Sequence, residues 1–324
     1  MVDHTECSIV IPSYNSANTI RACLDAVTAQ DWPGPYEVIV VDSSDDATPQ
    51  LIRAHFPGVK LVSLRHKTDP GTARNIGVAQ AKGEILAFID SDCIASPDWL
   101  RQLVAHHAAG HDVVGGAVKN GNPHSLVGWA GYISEFREFL PVGGVRLTQH
   151  IPTCNISYKR FIFEKYGGFK GRYYPQEDLL YNWHLRRQGV SIVFDPQIQV
   201  AHVHRTKMSN YLRHQMRIGS VTAHVLKKTD LSGSWILRWP WLVTLGLPVL
   251  LLVKFWRTLV VFLRWNWKAV LRRCWAWPLF FLGLLAWATG LIRGAWEKAP
   301  PFSMSGTGTP EVSSVHSSRP GIIM

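Results

Sequence analysis

Cysteine is sparse: Cys7, Cys23, Cys93, Cys154 and Cys274 are the five in 324 residues, and no two stand in C-x-x-C spacing. That spacing excludes a zinc ribbon and a disulfide framework and points to a reducing compartment. No basic-then-apolar leader opens the chain, so the first domain is expected to face the cytoplasm. Acid is nearly missing from the end. Residues 231–324 hold 2 Asp+Glu against 10 Lys+Arg, a net of +8, whereas residues 1–230 hold 21 against 24, a net of +3. The same end carries 10 of the 14 tryptophans. Indoles and cationic stems among long aliphatic runs suit a membrane headgroup layer, and they make nucleic acid a poor reading of the +11 charge. A composition 47% hydrophobic and 18% charged excludes a disordered chain.

Up to about residue 118, short solid apolar runs alternate with stretches of helical spacing. Strands are expected at 7–14, 37–42, 59–64, 84–90 and 112–118, and helices at 17–30, after "VVD" near 47–56, at 71–83 and at 96–107. Solid apolar strands joined by helices imply an α/β domain with a Rossmann-like, mostly parallel sheet covered on both faces. Residues 120–150 read as Gly-rich and irregular; "TCNISY", "SIVFD" and "QIQVAHVH" read as strands. Helices follow at 175–189 and 205–228, the second basic, amphipathic and a candidate for a break at Gly219.

In such sheets ligands bind at the carboxyl ends of strands. That edge receives Tyr14, Asp42, Asp90 and Asp92, each directly after an apolar run. Asp90 and Asp92 lie two apart, on one face if the strand continues, and two converging anions call for a cation. Mg2+ or Mn2+, with oxygen ligands and open positions for phosphate, is the natural occupant; a solvated loop is the plainer alternative. Asp42 could accept hydrogen bonds from a nucleobase or ribose, or simply form a turn. Glu177 and Asp178 open a helix, where acids serve as caps or, if one faces substrate, as a general base.

The segments "SIVIPSYN", "EVIVVDSSDDAT", "GTARNIGVAQAKGEILAFIDSDC", "NISYKR", "YGGF" and "QEDLLYNWHLRRQG" occur in order over residues 6–205 and resemble the family 2 glycosyltransferases, with their GT-A fold. The resemblance implies inverting transfer of a sugar from a UDP-, GDP- or dTDP-sugar to an acceptor hydroxyl. It places Pro12, Tyr14 and Asp42 at the nucleoside, Arg74 and Asn75 near the nucleotide, Asp90 at the ribose or metal, and Asp92 on the metal. Asp178 is then the base, with Glu177 beside it. His202 and His204 share a strand face; one of them, taken here as His204, could complete the metal site, though packed histidines are the plainer reading. Trp183 could line an acceptor pocket or merely pack its helix. The processive members' Q-x-x-R-W is absent: "QMRIG" at 215–219 lacks the arginine spacing and the tryptophan, which favours single-sugar transfer. Arg213 and Arg217 could touch phosphate or anionic lipid. Two other classes share the architecture. One is a membrane-tethered domain that binds nucleotide-sugar without turnover. The other is a sugar nucleotidyltransferase, whose Gly-rich basic N-terminal loop finds neither Gly nor Lys in "IPSYNSANTI".

The expected organisation is a catalytic domain over 1–230, a membrane-associated helical region over 231–297, and a disordered tail over 298–324. The hydrophobic segments, about 239–263 and 275–292, read as two spans or as helices lying in the cytoplasmic leaflet. Two spans would leave four positive residues of 264–274 on the far side and Lys254 deep in the first span, at about 2.5–3.5 kcal/mol. An anchor of either kind, on the cytoplasmic membrane, suits a lipid-linked or saccharide acceptor and a role in cell-envelope polysaccharide or glycolipid synthesis.

Overall fold

The computed structural model describes residues 5–298 and the backbone of the strand 312–316. In chain order the elements are β1 (Cys7–Ser13), α1 (Ile20–Thr28), β2 (Tyr36–Asp42), α2 (Thr48–His55), β3 (Lys60–Leu64), α3 (Pro70–Gln80), β4 (Ile85–Phe88), β5 (Cys93–Ala95), α4 (Trp99–Ala108) and β6 (Val113–Asn120). They continue with α5 (Leu126–Glu135), β7 (Arg146–Thr148), β8 (Ile156–Lys159), α6 (Arg160–Tyr166), α7 (Glu177–Arg187), β9 (Ile192–His202), α8 (Met208–Leu226), α9 (Pro240–Arg272), α10 (Ala276–Trp296) and β10 (Val312–His316). The sheet order is β10-β3-β2-β1-β4-β8-β6-β9-β5, with β7 on β9.

The first half is the parallel sheet that solid apolar runs predict: β1 pairs β2 and β4, and β2 pairs β3, all parallel. Beyond β4 the sheet is mixed. The chain leaves β6 and re-enters β8 from the same edge, so β8 is antiparallel to both β4 and β6. The two strands expected around Pro196 are one, β9, whose register against β6 shifts between Gly116 and Ala117. There Gly116 lies against the Ile198 carbonyl, closer than a Cβ allows. Residues 120–150 are not wholly irregular. Ser125 caps α5 by accepting from the Gly128 N–H, and the helix's own glycines hid it by lowering helix propensity.

α8 runs unbroken through Gly219, because that glycine is a contact and not a hinge. Gly219 faces the Trp287 carbonyl of α10; in return Gly290 faces the Met216 carbonyl and Gly294 that of Ser220. Small residues four apart let the two backbones approach, and α10 lies along α8 for most of its length. α9 absorbs the stretch expected as a basic linker, with Pro248 inside and a kink at Asn266 (φ −158°, ψ 84°). Both helices are long and apolar enough to cross a membrane by length and composition. Half of the apolar window of α10 is buried against 17% of that of α9, so α9 is the outer helix. It exposes Leu245, Val249, Leu252, Val253 and Trp256.

Both ends of this pair touch the α/β domain. Phe262 and Trp265 pack on Tyr132 of α5, Arg137 donates to Thr258 Oγ1 (2.9 Å), and Lys227 Nζ donates to the Gly294, Ala295 and Glu297 carbonyls. Lys254 turns away from the apolar face and sits 3.5 Å over the Trp287 ring. The tail expected as disordered over 298–324 lies outside the described residues except for β10, which pairs antiparallel with β3.

Gly290→Val should destabilise the chain by about 1–3 kcal/mol through overpacking of α8 on α10. Gly246→Ala on α9, where nothing lies within 4 Å, should be neutral or stabilising. Thermal unfolding of the two variants in detergent checks this, and equal melting temperatures would remove the packing argument.

Candidate active site

The carboxyl edge of the parallel half ends in short loops that brace one another. Asn15, left-handed at φ 53°, donates its N–H to Ser44 Oγ, while its Oδ1 accepts from the Asp45 N–H. β4 stops at Phe88, and Asp90 to Cys93 form a tight turn closed by the Cys93 N–H on the Asp90 carbonyl (2.9 Å). Ser91 is tied by its hydroxyl to Ser16 (2.7 Å). The two carboxylates are therefore set by a turn, not by strand alternation, and they reach different partners.

Asp90 reaches Arg74. This arginine, on α3 and 3% exposed, donates Nη2 to Asp90 Oδ1 (2.5 Å) and Nη1 to Glu177 Oε1 (2.8 Å). With its charge taken up by Arg74, Asp90 is not the free metal ligand that the spacing suggested. Glu177, also 3% exposed, braces Arg74 from the start of α7 and leaves Oε2 without a partner. Burial pushes its carboxyl up to about 8, with Arg74 opposing and Asp178 adding to the rise.

Asp92 reaches the other wall, where His202 Nε2 stands 3.5 Å from its Oδ1. Ligand atoms of Asp92, Cys93 and His202 lie within 4.8 Å of one another. Burial pushes the Cys93 thiol up, which keeps it protonated and removes it as a ligand for a hard ion. Asp92 and His202 stand close to the roughly 3 Å that separates neighbouring ligands of an octahedral ion at 2.0–2.1 Å. The residues present thus fit a divalent cation with several open positions. His202, not His204, is the histidine that fits. The His204 ring packs behind it at 4.5 Å, against Tyr132 and Phe136, and burial holds it well below the usual histidine range.

Asp178 sits at the first turn of α7, where its Oδ2 accepts from the Thr153 N–H (3.1 Å) and its Oδ1 from the Leu179 N–H (2.7 Å). Asp90, Asp92, Glu177 and Asp178 line one cleft of about 1210 Å³ together with Pro12 and Tyr14. Lys67 Nζ lies 4.2 Å over the Tyr14 ring.

Three expected residues stand elsewhere. Asp42 is buried below the cleft, accepting from the Ser44 hydroxyl (2.6 Å), and burial raises its carboxyl above the ordinary value. Asn75 points to the loop after α6, donating to the Phe169 carbonyl (2.8 Å) and accepting from its N–H (2.9 Å), so it braces that loop. Trp183 faces the opposite side, its Nε1 donating to Asp230 (2.6 Å), so it packs α7 and lines no acceptor pocket. Among the described residues Arg213 bonds Asn210, whereas Arg217 does line the cleft. Sequence reasoning missed Thr153, Lys67, Glu135 and Lys254, which no motif marks: Lys67 and Glu135 come from segments read as loop, Lys254 from the anchor, and Thr153 from the first residue of an expected strand.

A GT-A architecture with an acid-lined cleft at the strand ends is the class that fold and site define. Residues 8–167 match the family described as glycosyl transferase family 2. Glycosyltransferase AglE of Haloferax volcanii is 30% identical over 218 residues, 65% of this chain and 71% of that protein. Succinoglycan biosynthesis protein ExoO of Rhizobium meliloti is 39% identical over 123 residues, 37% of this chain and 34% of that one. Two solved structures share the fold. The mannosyltransferase PcManGT from Pyrobaculum calidifontis, in complex with GDP-Man and Mn2+, superposes with a TM-score of 0.61 over 90% of this chain and 88% of that one, at 18% identity. S. aureus TarS 1-349 in complex with UDP-GlcNAc gives 0.50 over 70% and 68%, at 21% identity. The chain belongs to glycosyl transferase family 2 and is a glycosyltransferase.

Glu177 gives the site a pH signature. Its carboxyl titrates near 4.5 when unfolded and about 8 when folded, so between those values the native state holds the extra proton. Stability should therefore fall as pH rises through that window, by up to about 1.4 kcal/mol per unit. Glu177→Gln should flatten the slope in urea titrations from pH 5 to 8; parallel slopes in the two proteins would contradict the assignment.

Proposed function

We propose that the chain transfers a hexosyl or related sugar, with inversion, from a nucleotide-sugar to a hydroxyl of a lipid-linked or saccharide acceptor at the cytoplasmic face of the membrane. The observation that carries this is the single cleft. Its lining includes Pro12 and Tyr14, Asp90, Asp92 and Asp178, and Ile218 and Thr222 of α8, Lys254 of α9 and Trp287 of α10. Tyr14 offers a ring face to the base, and Asp92 with His202 faces the diphosphate. A divalent ion, Mg2+ or Mn2+, held by those two residues supplies charge neutralisation for the leaving diphosphate.

Asp178 then takes the proton of the acceptor hydroxyl on its carboxylate while that oxygen attacks the anomeric carbon from the face opposite the leaving group. The Thr153 and Leu179 N–H groups fix the carboxylate's orientation and leave it nothing to displace but solvent. Glu177 cannot serve in its place, since Arg74 holds it inside the wall. Relatives named for succinoglycan biosynthesis and for poly(ribitol-phosphate) β-N-acetylglucosaminyl transfer favour a cell-envelope polysaccharide or glycolipid product. The exposed apolar face of α9 and the contact of both helix ends with the catalytic domain support attachment by helices that lie along that domain, not a hairpin that projects from it.

A screen of UDP-, GDP- and dTDP-sugars for metal-dependent hydrolysis identifies the donor. With that donor, Asp178→Asn should keep nucleotide-sugar binding and lose transfer by roughly 10²–10⁴-fold, whereas Asp92→Asn should lose the metal-dependent part of donor binding. Full transfer by Asp178→Asn would remove the assigned base. Donor binding with no turnover in the native chain would leave a binding domain.

A further inference from the structure

We infer that Cys93 joins Asp92 and His202 in a three-ligand site for a tetrahedral, thiophilic ion of the zinc class, and that such an ion inhibits the chain by taking the place of the octahedral one. This rests on the reading of Asp92 and His202 as the metal side of the cleft. Asp92 Oδ1 has two neighbours there, not one. His202 Nε2 stands 3.5 Å from it and Cys93 Sγ 3.8 Å from it, and ligand atoms of all three residues lie within 4.8 Å of one another.

The backbone sets this trio. Cys93 and His202 are directly paired residues of the antiparallel strands β5 and β9, and the Val203 N–H donates to the Asp92 carbonyl beside them (2.8 Å). Side chains of such a pair rise on one face, with Cβ atoms about 4.5–5.5 Å apart. Asp92 lies in the turn before β5, outside the strand alternation, and its carboxylate comes to the same side. Cys93 and His202 are both buried, so packing holds the two side chains in place. His202 Nδ1 has no partner among the described residues, which lets the ring proton stand there and leaves the Nε2 lone pair to an ion.

The spacing selects the ion. Oxygen and nitrogen ligands of a tetrahedral zinc are about 3.3 Å apart, and a sulfur at about 2.3 Å from the metal stands about 3.5 Å from either. Neighbouring ligands of an octahedral magnesium are only about 3 Å apart. The observed 3.5 and 3.8 Å lie nearer the tetrahedral values. One carboxylate oxygen, one imidazole nitrogen and one sulfur also form a mixed set that suits zinc and not magnesium. On binding, the Cys93 S–H bond breaks, the sulfur keeps the electron pair and donates it to the ion, and the proton passes to solvent. A hard ion gains too little from sulfur to compensate for that proton; zinc gains enough. The open positions carry the consequence. An octahedral ion on Asp92 and His202 keeps about four, enough for oxygens of both phosphates. A zinc ion on three protein ligands keeps about one, so it occupies the site while offering the diphosphate a single contact.

Titration of Co2+, a coloured stand-in for zinc, into the full-length protein in neutral detergent tests this. The expected spectrum has a thiolate-to-cobalt charge-transfer band in the near ultraviolet and the strong visible absorption of a four-coordinate ion. About one equivalent of Zn2+ per chain should bleach both, whereas about a hundredfold excess of Mg2+ should not. Cys93→Ser should remove the charge-transfer band and weaken Zn2+ binding at least about tenfold, while changing Mn2+ binding by about twofold or less. Cys154→Ser, at a thiol that meets that of Cys93, and Cys274→Ser, at an exposed one, should keep the band. Melting temperatures guard against misfolding. If Cys93→Ser does not fold, His202→Gln keeps the thiol and should weaken Co2+ binding at least about tenfold. The inference is overturned by a native chain without the band, by a band that survives Cys93→Ser or is lost in Cys154→Ser or Cys274→Ser, by unchanged affinity in His202→Gln, or by bleaching with Mg2+. Zn2+ should also inhibit Mn2+-supported transfer by the native chain at a concentration at least about tenfold lower than in Cys93→Ser, and equal sensitivity overturns the inhibitory role. The spectrum needs no sugar donor. A chain that shows the band yet transfers nothing keeps the site while the proposed function falls, and transfer without the band does the reverse.

Discussion

The site depends on one buried cation. Arg74 joins three elements: α3, which carries it, the turn after β4, which brings Asp90, and the start of α7, which brings Glu177. Without that guanidinium, Asp90, Glu177 and Asp178 would bring three carboxylates to one wall with no compensation, and removing one partner of a buried pair costs several kcal/mol. The arginine does not cancel the charge. One cation faces three acids, and Asp92 adds a fourth on the opposite side. On that wall the acids outnumber the cation, and the residues that fit a divalent ion, Asp92 and His202, stand apart from Arg74. Glu177, held inside the wall, takes up a proton well above its ordinary range chiefly because it is buried, with Arg74 opposing and Asp178 adding to the rise.

The same constraint sorts the acids into roles. Asp90 is consumed by the protein's own cation and positions it. Asp92, beyond the Ser91 that is tied to Ser16, turns away from Arg74 towards His202. Asp178 differs from Glu177 by a single helical step, yet that step moves its carboxylate from Arg74 to backbone N–H donors. Fixed neutral donors orient a carboxylate without displacing it from the cleft, which is the condition a general base requires.

Much of this was legible in the amino-acid order. Solid apolar runs ending in polar residues mark β1, β2 and β4 and their carboxyl edge, since burial on both faces leaves a strand no alternation. The helix opened by Glu177 and Asp178 was legible from its acids at one end and arginines at the other. What failed did so for local reasons. Asn75 and Trp183 carry side chains equally suited to a pocket and to bracing, and only the positions of Phe169 and Asp230 decide. His202 and His204 share a strand face, so spacing cannot say which ring is in front. α5 was hidden by its glycines, and Gly219 was mistaken for a hinge because a backbone contact leaves the same letter as a flexible joint.

The apolar pair is part of the site, not a handle attached to it. α10 is fastened to α8 by glycines placed against carbonyls, and α9 covers it while sending Lys254 back into the cleft. A simple tether has no need of a lysine at that depth, and lipid gives it no partner. Turning the ammonium onto Trp287 resolves that cost inside the protein. It also puts residues of the two apolar helices into the wall of the cleft. A chain that only needed to be held near a bilayer could have stopped its cleft at α7. This one extends it to the two apolar helices.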